Sequence, residues 1–166
     1  MSPVLNSKGR VQVFEVGDIV CYPMHGVGSV QGIDENTVLG ETNSYYIICF
    51  VSTNLKAMVP VSSAEQIGLR RIIASEECEK VLRYFETFEP EEMSDNWNQR
   101  YRENLKKLKS GNIYDMVDVV KGLRSRNETR GLSSGERKMF LTARQVLITE
   151  LSVASGMDAE EISKVI

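Results

Sequence analysis

One histidine, one tryptophan, four prolines and three cysteines among 166 residues close several routes to function at once. His25 alone cannot supply a histidine metal cluster or a pair of imidazoles for acid–base relay. Cys21, Cys49 and Cys78 are odd in number, widely spaced and free of any CxxC pair, which excludes a disulfide framework and fits a reducing cytoplasm. No apolar run approaches the roughly 18 residues of a membrane span. Residues 1–10 lack the apolar segment of an export signal, so a cytoplasmic protein without a membrane partner is expected. An excess of one charge is missing too: 20 Lys+Arg stand against 23 Asp+Glu, too balanced for a chain that coats polyanions along its whole length. The hydrophobic share of 42% is that of a folded chain, and the length suits one ordinary domain or two small ones.

What is present falls into two halves with different periods. From Val11 to Val61 β-branched and aromatic residues alternate with turn formers. Val11-Gln12-Val13-Phe14, Ile19-Val20-Cys21-Tyr22, a run from Gly26 and Gly28 through Val30 and Ile33, Tyr45 to Val51, and Ala57 to Val61 all read as short strands. The polar Asp34-Glu35-Asn36 reads as a turn before a brief strand Thr37-Val38-Leu39, which Gly40 to Asn43 would end. Short strands so punctuated predict a small antiparallel β-barrel. Pro60 has no amide to donate, which puts its strand at an edge or at its end.

Beyond Gly68 the period is helical. Ser75 is a candidate N-cap for a helix with Val81, Leu82 and Phe85 on one face, followed by an acidic loop from Glu86 to Asp95. Ser94 or Asp95 can cap the next helix, with Trp97, Tyr101, Leu105 and Leu108 as its apolar stripe. Ile113, Met116, Val117, Val120 and Leu123 mark a third. Ser133 and Glu136 form a capping box for a fourth, whose stripe is Met139, Phe140, Ala143, Val146, Leu147 and Leu151, and Asp158 or Glu161 caps a short last helix. The expected architecture is α+β with two domains, a β domain over 12–68 and a compact all-α domain over 72–166.

The small net charge hides a pattern. Residues 97–149 carry twelve Lys/Arg and five Asp/Glu, between acidic segments on both sides. A basic stretch of this size suits phosphate neutralisation, the main source of nucleic-acid affinity. No catalytic constellation accompanies it. Cys21, Cys49 and His25 are the only conceivable zinc ligands, and Cys21 with His25 the only conceivable nucleophile pair. Gly26 and Gly28 open no helix and so make no phosphate loop. Neither a metal nor a cofactor is expected, and an enzyme is not. Trp97, with Arg100 and Arg102 after it, is either a core residue stacked on Tyr101 or an apolar wedge beside cations.

Three segments carry a resemblance. The run from Phe14-Glu15-Val16-Gly17-Asp18 through Tyr22-Pro23-Met24-His25-Gly26-Val27-Gly28 resembles the opening signature of the CarD/CdnL family of bacterial transcription regulators, which transcription-repair coupling factors share. Asn96-Trp97-Asn98-Gln99-Arg100-Tyr101-Arg102 resembles the family's tryptophan-bearing helix, and Gly131-Leu132-Ser133-Ser134-Gly135-Glu136-Arg137-Lys138 its later capping segment. The resemblance implies a Tudor-like β domain that binds the β-subunit lobe of RNA polymerase through a strand edge. It also implies a helical domain that meets promoter DNA at the upstream edge of the melted region. There the tryptophan matched by Trp97 wedges into the minor groove and stabilises the open complex.

The residues that would carry these contacts follow. On the polymerase side they are Asn36, Val38, Ile48, Met58 and Pro60; on the DNA side Trp97, Arg100, Arg102, Lys106, Arg137 and Lys138. Some relatives carry basic residues at the positions of Asn36 and Met58, which implies a more apolar polymerase contact here, and Gln99 stands where relatives often have arginine. A monomer is expected. Two other functions fit the residues: a polymerase tether whose helices recruit protein rather than DNA, and a small cysteine enzyme built on Cys21 and His25.

Overall fold

A computed structural model of the chain describes residues 14–166. Its first part is one antiparallel sheet of β1 (Ile19–Tyr22), β2 (Gly26–Val38), β3 (Glu41–Phe50), β4 (Lys56–Pro60) and β5 (Arg70–Arg71), in the order β4-β3-β2-β1-β5. No ladder joins β4 to β5 among the described residues, so the expected barrel is an open five-stranded sheet in its hydrogen bonding. Pro60 ends the edge strand β4, as its missing amide requires. Of the expected strand at Val11-Gln12-Val13-Phe14, the first three residues lie outside the described ones, and Phe14 packs in the core against Tyr46.

The turn expected at Asp34-Glu35-Asn36 is not there. Those residues continue β2, paired with Tyr45, Ser44 and Asn43 of β3, and the chain reverses only at Leu39-Gly40. The cause is exposure: β1 reaches no further along β2 than Ser29, and β4 no further along β3 than Tyr45, so the end of the hairpin forms an arm that water wets. A strand wetted on both faces is polar and imitates a turn. Leu39 and Gly40 take φ of 53° and 79°, the two left-handed positions of a type I′ hairpin turn. For a residue with leucine's side chain that conformation costs about 1 kcal/mol.

The second part is helical: α1 (Ser75–Thr87), α2 (Trp97–Leu108), α3 (Ile113–Thr129), α4 (Ser134–Ser155) and α5 (Ala159–Ser163). The capping box of Ser133 and Glu136 is formed, and Asp158 caps α5. Two caps differ from expectation. Ala74 precedes α1 with no side-chain cap, so Ser75 is already helical. Asn96 caps α2 by accepting from Gln99 N (3.0 Å), because Ser94 and Asp95 are drawn elsewhere. The face α2 buries is also different: Arg100, Asn104 and Leu108 point inward, with Tyr101 and Leu105 half-buried.

Each part has its own apolar core. Val20, Val30, Tyr46, Ile48, Phe50 and Val59 fill the sheet's inner side, while α1, α3 and α4 close over Val81, Phe85, Val117, Val120, Leu123, Leu147 and Leu151. Cys21 belongs to the second core although it sits on β1. The joint between the parts is short and closely held. Arg70 of β5 grips Glu150 of α4 with both terminal nitrogens (2.6 and 2.8 Å), and Glu150 also accepts from Ile73 N (3.1 Å) while being wholly buried. Two residues earlier Gly68, at φ +81°, lies so close to the α2–α3 turn that a Cβ there would sit 2.7 Å from the Lys109 carbonyl oxygen.

Candidate functional site

The antiparallel register sorts the expected polymerase-facing residues. Residues opposite one another share a face, so Asn36 opposite Asn43, Tyr45 opposite Pro60 and Ile47 opposite Met58 lie on one side of the sheet. Val38 joins them by the two-residue period. Asn36, Val38 and Met58 are exposed and Pro60 half-buried, with Met58 55% exposed on the edge strand. Ile48 does not belong with them. It lies on the opposite face of β3, which β2 and β4 flank, and is completely buried in the core. Its role is packing, and the expectation of a polymerase contact there is withdrawn.

Trp97 opens α2 and is 45% exposed. One ring face stacks on Tyr101, centroids 5.5 Å apart with 25° between planes, and Nε1 donates to Ser133 Oγ (2.8 Å). Ser133 is the N-cap of α4, so the serine that satisfies Glu136 N also aims the indole. The network continues inward. Glu136 accepts from Ser133 N (3.0 Å) and from Arg100 Nε, and Arg100 Nη1 donates to the Ser94 and Asp95 carbonyls. Burial pushes the Glu136 carboxyl up, but the hydrogen bonds from Arg100 and from the Ser133 backbone and hydroxyl more than offset this and hold it below the usual carboxylate range.

Arg100 therefore cannot face a phosphate. Its guanidinium is buried against Glu136 and tethers the acidic loop to α2, which corrects the expectation of a DNA contact at this residue. The other expected cations are exposed. Arg102 and Lys106 line a shallow groove with Leu105, Lys109 and Gln66, while Arg137 and Lys138 sit in the first turn of α4, just after the serine that holds Trp97. Arg130, part of the same basic segment, is taken up by Asp95 and Glu92 of the acidic loop.

Comparison with known proteins decides the family. Residues 14–73 match the CarD-like/TRCF RID domain, and residues 80–166 match the CarD C-terminal domain. The chain is 31% identical over 150 residues to the "Putative transcription factor YdeB" of Bacillus subtilis, an alignment spanning 90% of this chain and 97% of that one. It belongs to the CarD/CdnL family. Among solved structures, CdnLNt from Myxococcus xanthus matches at 36% identity over 39% of this chain and 93% of that chain, with a TM-score of 0.32. The role of this CarD-family protein lies in transcription, as a partner of RNA polymerase.

Cys21 is wholly buried, and burial together with the nearby Glu150 carboxylate pushes its thiol up to about 12, so it holds no thiolate near neutrality. His25 is exposed and rests edge-on against Tyr22, with ring centroids 4.3 Å apart. Cys21 packs in the helical core, and no group of three or more His, Cys, Asp or Glu side chains that could hold a metal ion, Cys21, Cys49 and His25 included, occurs among the described residues. No helix among them is long and apolar enough to cross a membrane. Two features of this CarD-family chain escaped the sequence reading. The capping box was legible, but that Ser133 also receives Trp97 and that Glu136 receives Arg100 depends on contacts 36 residues apart, for which one sequence carries no signal.

Proposed function

We propose that this CarD-family protein stabilises the melted promoter by bridging RNA polymerase and DNA. The unit expected over 12–68 docks on the β-subunit lobe through the edge of β4 that no described strand covers and the outer face bearing Asn36, Val38, Met58 and Pro60. Strand-edge pairing supplies main-chain hydrogen bonds, and the exposed apolar side chains select the partner. The helical unit expected over 72–166 sets Trp97 into the minor groove at the upstream edge of the bubble, with Arg102, Lys106, Arg137 and Lys138 on phosphates.

The observation that carries this reading is the state of Trp97. A ring this large, 45% exposed yet fixed by a stack and a hydrogen bond, is arranged for an external contact rather than for the core. Apolar wedges that unstack a base step act in this way, and preorganisation spares the cost of ordering the ring on binding. The test is the lifetime of the open complex with and without the protein. It should lengthen with the parent chain. Met58→Glu should abolish both that effect and polymerase binding while leaving the unfolding midpoint unchanged.

A further inference from the structure

The tip of the β2–β3 arm has a feature that the fold itself does not use. Leu39 is 100% exposed and Val38 55% exposed, so neither gains from burial. Leu39 also holds a left-handed backbone (φ 53°) at the turn position where asparagine or glycine is at ease. An exposed apolar side chain on a strained backbone has no return inside the molecule, which points to a contact outside it. Charge says what kind. Residues 31–44 contain Asp34, Glu35 and Glu41 and no Lys or Arg, and all three carboxylates are exposed. Phosphate would be repelled there, whereas a protein pocket with a basic rim would be attracted. Val38 continues the outer face that carries Asn36, Met58 and Pro60, so the tip reaches the same partner from the same side.

We propose that Val38 and Leu39 form an apolar plug that enters a basic-rimmed pocket on RNA polymerase, next to the surface met by β4. This rests on the docking face proposed above and adds the residue that gives it grip. The contact is to protein, and the arm does not touch DNA.

The test measures the affinity of the full chain for core RNA polymerase, its thermal unfolding, and its binding to promoter-fork DNA. Leu39→Asn creates the Asn-Gly pair that a type I′ turn prefers, so the midpoint should hold or rise while polymerase affinity falls at least about tenfold. Leu39→Met keeps the apolar bulk and should bind within about twofold of the parent. Glu41→Lys should weaken polymerase binding through the rim, and an unchanged affinity removes the basic rim. Parent-like affinity of Leu39→Asn overturns the proposal. So does a loss confined to fork DNA, and so does weak binding that merely follows a lower midpoint, which would place Leu39 in the protein's own packing. Met58→Glu, run alongside, separates the two levels. Loss there with retention in Leu39→Asn removes the plug and leaves the docking face standing, and retention in both removes the docking face as well.

Discussion

The indole of Trp97 is held by one stack and one hydrogen bond, and that economy sets what its removal should do. A buried tryptophan truncated to alanine costs about 3–5 kcal/mol, and with nearly half of its surface already wet Trp97→Ala should cost about 2. The variant should fold, bind polymerase like the parent and fail to lengthen the open complex. Normal lengthening, or unfolding at ordinary temperature, would refute the wedge. The cations divide in the same residue-by-residue way. Arg137→Glu or Arg102→Glu should lower the salt slope of fork-DNA binding by about one unit and leave DNA-free polymerase binding intact. A parent with no salt slope at all would favour protein recruitment by the helices over DNA contact.

Among the elements, α2 shows how far pattern reading reaches. Its existence is plain in the sequence, because the spacing of Trp97, Tyr101, Leu105 and Leu108 is helical, but its cap is Asn96 and not the expected Ser94 or Asp95. Its inward face is not plain, since that face is led by Arg100 and Asn104, and a buried arginine is indistinguishable from a solvated one until Glu136 is seen beside it. The far half of β2 fails for the mirror-image reason: Asp34-Glu35-Asn36 is strand without burial, and polarity without burial reads as turn. The α3 stripe, in contrast, is wholly legible because each of its expected residues is buried and apolar. The Arg100–Glu136 pair makes a prediction for these elements. Arg100→Ala strands a buried carboxylate and should cost about 3–5 kcal/mol, so it should fail by unfolding rather than by losing a phosphate contact. Because the Glu136 carboxyl is held below its ordinary value in the folded chain, its contribution is complete above the unfolded carboxylate range and is lost as pH falls through the folded value. Thermal midpoints should therefore drop on acidification below about pH 4, and Glu136→Gln, destabilised at neutral pH, should show a shallower drop. A parallel decline in both proteins would assign the acid sensitivity to other carboxylates.

At the scale of the whole molecule the decisive contacts lie between β5, Gly68 and the helices. Arg70 with Glu150 of α4 and Gly68 against Lys109 of the α2–α3 turn tie the chain after the sheet to two places in the helical part within three residues. Replacing the ion pair by Arg70→Met with Glu150→Leu should keep the protein folded, since apolar substitutes for a buried pair are often neutral or better. Without the fork-shaped grip the relative angle of the parts should loosen. Polymerase binding and fork-DNA binding, each measured alone, should then persist while the lengthening of the open complex shrinks, because the second contact depends on being presented at the right place by the first. Undiminished lengthening would show that the joint adds nothing to the bridge. The joint makes the protein a caliper. On the function proposed above its jaws are the sheet's outer face and Trp97, and a caliper responds to a span rather than to letters. Promoters of any sequence should then be equivalent to it as long as the separation between the polymerase surface and the upstream edge of the bubble is unchanged, and a change in that separation should defeat it whatever bases lie there.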